Sequence, residues 1–292
     1  MIKKIPRNKR VGFAPRMVLT ERDKRIILAV YENRYMSRDQ IRSLFFNVTS
    51  MTNERLMRLY QHGYLDRLYP PVSFGSTQAV YGLDRKGAEL VAKELGIAKE
   101  SINWKKRNVK VEFLFLEHTL AVSEFRVCLE LAARQREDAS ILFWKPQGKP
   151  LNDRVPDPER KSKYLLVSPD AFFGILTTNG LPTEASAKAG KTYFFLEADL
   201  GTESRERFKK KVLTYRQYWK SGKYQEKYSF KSFRVLTITT SEKRLNNLVA
   251  TARDCGVKGM FLFTTQDLTK PNKVLGNIWL TTVNSGFTSI LD

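Results

Sequence analysis

Three carboxylates and one lysine are spaced so that they could do chemistry. Asp170 opens the apolar run DAFFGILT, Glu197 and Asp199 close the run KTYFFLEAD, and Lys211 follows in a stretch rich in lysine, arginine and aromatic residues. Glu197 and Asp199 are two apart, so on a strand they share a face. Antiparallel pairing of the two runs puts Asp170, at the start of one, near Glu197, at the end of the other. Whether Asp170 joins that face depends on a register that the sequence leaves open. Converging carboxylate oxygens suit a hard cation, Mg²⁺ or Mn²⁺, and the expected metal set is Asp170, Glu197 and Asp199. Such an ion would relieve the repulsion among the acids, polarise a phosphate and lower the pKa of an attacking water. A helix expected over 203–220 packs through Phe208, Val212, Tyr215 and Trp219, and Lys211 on that helix leans back toward the acids. Arg207, Lys209 and Lys210 point further outward and are read as phosphate contacts. The competing reading is that acids at strand ends are simply polar terminations.

The surrounding elements alternate. A long helix over 109–136 carries Glu124, and the strand ASILFWK follows it. Beyond the two central runs come a strand at 233–239, a helix at 242–255, a strand at 259–264 and an edge element near 277–283. Helices between strands make an α/β domain with a central sheet, in which ligands tend to sit beyond strand ends. The polar loop QGKPLNDRVPDPERKSK is expected to be a disordered flap near bound DNA. No GxxxxGK[ST] occurs, which argues against a P-loop ATPase.

The first hundred residues read differently. Residues 1–19 hold six basic side chains and no acid, a flexible arm whose Lys3, Lys4, Arg7, Lys9 and Arg10 would run along phosphates. A solubilising terminus is the alternative. Thr20 with Asp23, and Ser37 with Gln40, have the spacing of capping boxes, and a third helix is expected after Thr49-Ser50. That third helix presents Asn53, Arg55 and Arg58 on its polar side. Two strands near 64–69 and 79–83, joined by PPVSFGST, precede a helix capped by Asp84. This order is that of a winged helix-turn-helix with a closing helix, whose third helix would meet base edges or phosphates. The same fold can also serve purely to bind protein. The expected division is an arm at 1–19, a winged helix at 20–96, a linker at 97–108 and an α/β domain at 109–292.

The totals agree. A chain of 292 residues, 42% apolar and 28% charged, can bury two cores and is not a disordered polymer. Its 51 Lys and Arg against 30 Asp and Glu give a formal charge of +21, a field that draws polyanions, double-stranded DNA first among them. A membrane surface is disfavoured as a partner, since no helix has a one-sided basic and apolar pattern. Two cysteines and two histidines leave no convincing zinc cluster. Unpaired cysteines and the lack of an apolar signal core point to the cytoplasm.

PDAFF followed by FFLEAD resembles the core of the PD-(D/E)xK nucleases. The resemblance matches Asp170 to the first acid and Glu197 to the second, with Glu124 as the helix-borne acid. Asp199 stands where that motif has lysine; some members supply the lysine from the neighbouring helix, which nominates Lys211, and others only bind DNA. More of the chain is similar to the replication-relaxation family of bacterial plasmids and mobile elements. The similar stretches are LTERDKRIILAV, LMRLYQHGYLDRLY, YGLDRKGAELVAKE, HTLAVSEFRV, PDAFF, FFLEADLGTES with Lys211 and Tyr215 after it, and FRVLTITTSEKRLNNL. This resemblance implies a winged helix joined to a restriction-endonuclease-like α/β domain with a mixed sheet. It implies action in plasmid replication and relaxation of supercoiled DNA, by metal-dependent nicking or as a non-catalytic regulator or accessory factor. A homodimer and replication proteins are the implied protein partners.

Overall fold

The computed structural model describes residues 9–11, 16–70, 78–102, 104, 112–160, 162–179, 188–283 and 286–292. The chain forms two compact units, Met1–Val127 and Cys128–Asp292. The sequence places the junction at 97–108, whereas this division falls within a continuous helix, α5.

The first unit runs α1 (Glu21–Asn33), β1 (Met36–Ser37), α2 (Arg38–Phe45), α3 (Thr49–Gln61), β2 (Leu65–Leu68), β3 (Val80–Leu83), α4 (Arg85–Leu95) and the start of α5 (Phe113–Arg134). Both expected capping boxes form, so the starts of α1 and α2 are fixed by local chemistry. Thr49 and Ser50 lie inside α3 rather than capping it; Val48 holds the N-cap position, without a side-chain hydrogen bond. Ile26, Ile27, Val30, Ile41, Leu56, Leu59 and Val91 recur at helical spacing and are fully buried. The strands pair antiparallel in the order β1-β3-β2. Gly87 lets α4 press onto the chain before β2, for a Cβ there would lie 2.1 Å from the Tyr64 carbonyl oxygen. Three helices, a hairpin and a closing helix make the expected winged-helix arrangement. The wing at 71–77 and arm residues 1–8, including Lys3, Lys4 and Arg7, lie outside the described residues.

The second unit continues with β4 (Ala139–Pro146), β5 (Asp153–Pro156), β6 (Tyr164–Val167), β7 (Ala171–Asn179), β8 (Lys188–Asp199), α6 (Arg205–Ser221), α7 (Lys223–Tyr228), β9 (Arg234–Thr239), α8 (Glu242–Asp254), β10 (Phe261–Thr265) and β11 (Leu280–Thr281). Six strands lie in the order β11-β10-β9-β8-β7-β4. β8, β9 and β10 are parallel and the remaining pairings antiparallel, the mixed sheet expected of the α/β class. One face, carrying Phe172, Phe195, Val235, Phe261 and Phe263, shares a core with Phe208, Val212, Tyr215 and Tyr218 of α6 and with Leu245 and Leu248 of α8.

Two expectations are corrected here. The polar stretch after β4 is not a disordered flap: β5 and β6 pair as a hairpin, and its Leu151, Val155, Leu165 and Val167 are buried in the α6 core. These apolar residues, scattered among polar and turn-forming ones, anchor it. On α6 the fourth packing residue is Tyr218, fully buried, whereas Trp219 is 49% exposed. At about 100° per residue position 219 lies on the 208-212-215 stripe and 218 to one side of it, so the exchange is set by tertiary packing of the last turn, where the Tyr218 ring meets Tyr224 and Phe233.

Candidate functional site

The register of β7 on β8 settles what the sequence leaves open. Ala171 faces Leu196, so Asp170 comes opposite Glu197 and on its face of the sheet. The Asp170 amide donates to the Leu196 carbonyl at 2.9 Å, and its carboxylate accepts from the Ala198 amide at 2.8 Å. Gln147 donates to the other carboxylate oxygen at 3.4 Å. Asp170 and Glu197 are both buried, at 7% and 3% exposure.

Lys211 completes the group. Its Nζ lies 2.9 Å from Glu197 Oε2 and 3.1 Å from a Glu203 carboxylate oxygen. Tyr215, one helical turn further on, donates its hydroxyl to Glu197 Oε1 at 2.5 Å. Positions i and i+4 of α6 thus grip the two oxygens of one carboxylate. Burial pushes the Glu197 pKa up to about 7; the Lys211 ammonium opposes this and the nearby Asp170 carboxylate adds to it. For Lys211, burial works against the charge, but Glu197 and Glu203 outweigh it and hold its pKa above the ordinary value. Burial, and then Glu197, raise the Tyr215 phenol as well.

Asp199 shares the face but has another partner. Its carboxylate binds Arg244 of α8 at 2.7 Å and accepts from the Gly201 amide at 2.9 Å. Among the described residues no group of three or more His, Cys, Asp or Glu side chains is placed to hold a metal ion. The third expected acid, Asp199, is thus paired with the Arg244 guanidinium. Mg²⁺ needs only one or two carboxylates when water and phosphate oxygens complete its shell, so Asp170 and Glu197 fit such an ion as a pair. Beside Glu197 in the register is Thr237, whose buried hydroxyl has no hydrogen-bond partner among the described residues. It is a further hard oxygen donor on the same face.

The remaining expected residues separate by what holds them. Arg55 is half-buried and engaged: it binds the fully buried Asp23 through two nitrogens and donates to the Val18 carbonyl at 3.0 Å. Asp23 is the N3 acid of the α1 capping box, and its burial demands a cation. Burial alone would raise the Asp23 pKa, but the hydrogen bonds from Arg55 and Thr20 prevail and lower it. Arg10 is also engaged, donating to the Tyr60 carbonyl at 2.8 Å, pairing with Asp84 and lying 4.8 Å over the Tyr60 ring. Glu124, in the first unit, accepts from Gln40 at 3.0 Å. Asn53 and Lys9 are exposed, as is Arg58, which pairs with the exposed Glu54 at 2.8 Å. Arg207, Lys209 and Lys210 are exposed on α6 as expected.

Sequence reasoning missed Glu203 and Arg244 as partners of the centre. Glu203 is in a loop and Arg244 is 45 residues from its carboxylate, so neither leaves a local pattern. Tyr215 was legible as an i+4 neighbour of Lys211, though only as a packing residue.

A winged helix followed by a mixed α/β sheet, with a carboxylate pair and a helix-borne lysine on one sheet face, defines a two-part architecture of one recognisable class. The family model for replication-relaxation matches residues 28–232, most of the chain, and the protein belongs to that family. No curated protein and no solved structure matches it. Among the described residues no helix is long and apolar enough to cross a membrane.

Proposed function

We propose that this protein binds double-stranded DNA of a plasmid or other mobile element during replication or relaxation, and nicks its backbone at a PD-(D/E)xK-like centre in the second unit. The observation that carries this reading is the 2.9 Å contact of Lys211 with Glu197, on the sheet face that Asp170 shares. Asp199 occupies the motif's lysine position, and a lysine from the next helix supplies the missing charge. Asp170 and Glu197 would hold Mg²⁺ or Mn²⁺, which when bound supplies a Lewis acid for the phosphate and a more acidic water. Tyr215 orients Glu197, and Lys211 sets a fixed positive charge where negative charge builds on the phosphate oxygens. Asn53, Arg58 and Lys9 grip the duplex from the first unit, and Arg207, Lys209 and Lys210 contact phosphates beside the centre. Glu124, held by Gln40, is given no step.

A second reading has one observation in its favour. Asp170, Glu197 and Asp199 are all buried, and Asp199 and Glu197 are each paired with a cation, as in a structural ion-pair network. On that reading the sheet domain is a scaffold for DNA binding, dimerisation or replication partners. Supercoiled plasmid incubated with the protein and Mg²⁺ or Mn²⁺ separates the two. Nicking predicts open-circle product that Asp170→Ala and Glu197→Ala abolish; no metal-dependent product rejects the nuclease. Gel shifts that weaken steeply with salt test duplex binding independently.

A further inference from the structure

The side chain that α6 leaves out of its core stands at a second feature. Trp219 and Lys220 wall an open cleft of about 440 Å³, closed on other sides by Phe233, Lys258 and Met260. Arg234, also in its lining, starts β9 three residues before Thr237, the register partner of Glu197. That is about 10 Å along the strand, and Lys211 to Trp219 is about 12 Å along the helix. The cleft is thus separate from the acids, at the other end of α6.

Its chemistry is one-sided. Among the described residues no acid lines it, and four cations do. Arg216 donates to the Cys255 carbonyl at 2.6 Å and Arg234 to that of Asp292 at 2.8 Å, which fixes both guanidiniums; Arg234 also lies close enough to the Asp292 carboxylate to help lower its pKa, so Lys220 and Lys258 are the cations turned to the cleft's ligand. Lys220 and Lys258 are exposed. Gly256 and Gly259 both have φ of 67°, and a Cβ at Gly259 would meet nothing within 4 Å, so the loop turns beside the cleft without filling it.

A half-exposed indole bordered by lysines suits a ligand that is flat and aromatic at one end and anionic at the other. Bases within a duplex are stacked on both faces and cannot reach Trp219; an unpaired nucleotide can. We infer that this cleft binds a nucleotide unit of single-stranded DNA, with a base stacked on Trp219 and phosphates held by Lys220 and Lys258. The inference rests on the reading that the protein meets DNA, and requires no cleavage. In replication or relaxation, it assigns a place for a strand that has left the duplex.

Fluorescence anisotropy of the full chain with a labelled oligothymidylate tests it. Trp219→Ala should weaken binding about 5- to 100-fold, the range that base–aromatic stacking commands, while Trp219→Phe retains most of it. Lys220→Gln with Lys258→Gln should flatten the salt dependence by about one to two phosphate contacts. Blunt duplex should lose little affinity in Trp219→Ala. Free dTMP that binds wild type but not Trp219→Ala identifies a mononucleotide as the source of the same chemistry; binding of the oligonucleotide alone identifies a strand. Unchanged oligothymidylate affinity in a folded Trp219→Ala protein, or equal losses on oligonucleotide and duplex, overturns the inference. Plasmid nicking that persists in Trp219→Ala, with this loss absent, would sink the cleft and leave the proposed function standing.

Discussion

Asp23 in the first unit and Glu197 in the second are buried carboxylates, each held by a cation, and their protonation is driven in opposite directions. Asp23 meets two nitrogens of Arg55 and both the amide and hydroxyl of Thr20, enough donors to overcome its burial and lower its pKa. Glu197 meets one ammonium and one phenol, has Asp170 nearby, and is pushed up to about 7. Equal lack of surface exposure therefore does not imply equal roles. Glu197 lies deeper among protein atoms, has a second carboxylate nearby and has fewer donors, and these together separate a fixed anion that holds a fold from a group poised to titrate. The pair in the first unit reads as architecture, and the pair in the second as chemistry.

The strongest test of that contrast is Arg55→Ala. It leaves Asp23 buried without its cation, so the first unit should lose about 3–5 kcal/mol, the usual cost of breaking one side of a buried pair. Calorimetry should show its unfolding transition shifted down by roughly 10 °C or more. An unchanged transition with weaker DNA binding would return Arg55 to the role that the sequence suggested.

Next in size is Lys211→Ala, which should lower metal-dependent plasmid nicking by about 100-fold or more, as loss of one preorganised charge does in other centres. The fold survives in this variant, because Glu197 takes up a proton readily once its cation is gone. Full nicking activity would move Lys211 from chemistry to architecture.

The two acids should also differ with pH. Glu197 has a folded pKa above its unfolded value of about 4.5, so its contribution to stability is full below that pH and is lost as pH rises through about 7. Asp23, with its pKa lowered, contributes above about 3.8 and loses that contribution only as pH falls below it. Between about pH 5 and 8, Glu197→Gln should flatten a fall in the second unit's Tm while the first unit's transition stays where it is. Parallel pH curves for Glu197→Gln and wild type would refute the poised carboxylate.

The smallest effect is expected from Arg58→Ala. Its i,i+4 pair with Glu54 is exposed at both ends and contributes about 0.5 kcal/mol or less. Stability should hold while duplex affinity falls severalfold and the salt slope drops by about one contact. A drop in Tm comparable to that of Arg55→Ala would erase the distinction between the two arginines of α3.

Much of the fold is written in local patterns. The capping boxes at Thr20 and Ser37, the apolar spacing of α1 and α3, and the alternating runs of β7 and β8 are of this kind. The sequence by itself therefore determined the order of the main helices and central strands, though not the β5–β6 hairpin, together with the two-part α/β architecture and the nomination of Asp170, Glu197 and Lys211. Partners distant in sequence were left to tertiary structure. Only the β7–β8 register could set Asp170 opposite Glu197, since a shift of one residue would move every side chain to the other face. Only packing of α8 beside β8 could pair Asp199 with Arg244. Only the depth of Asp23 could engage Arg55, expected as a DNA contact, in an ion pair with a buried acid. Local sequence sets which face a residue occupies within its own element. Whether that face meets water, a cation or another carboxylate depends on elements tens of residues away.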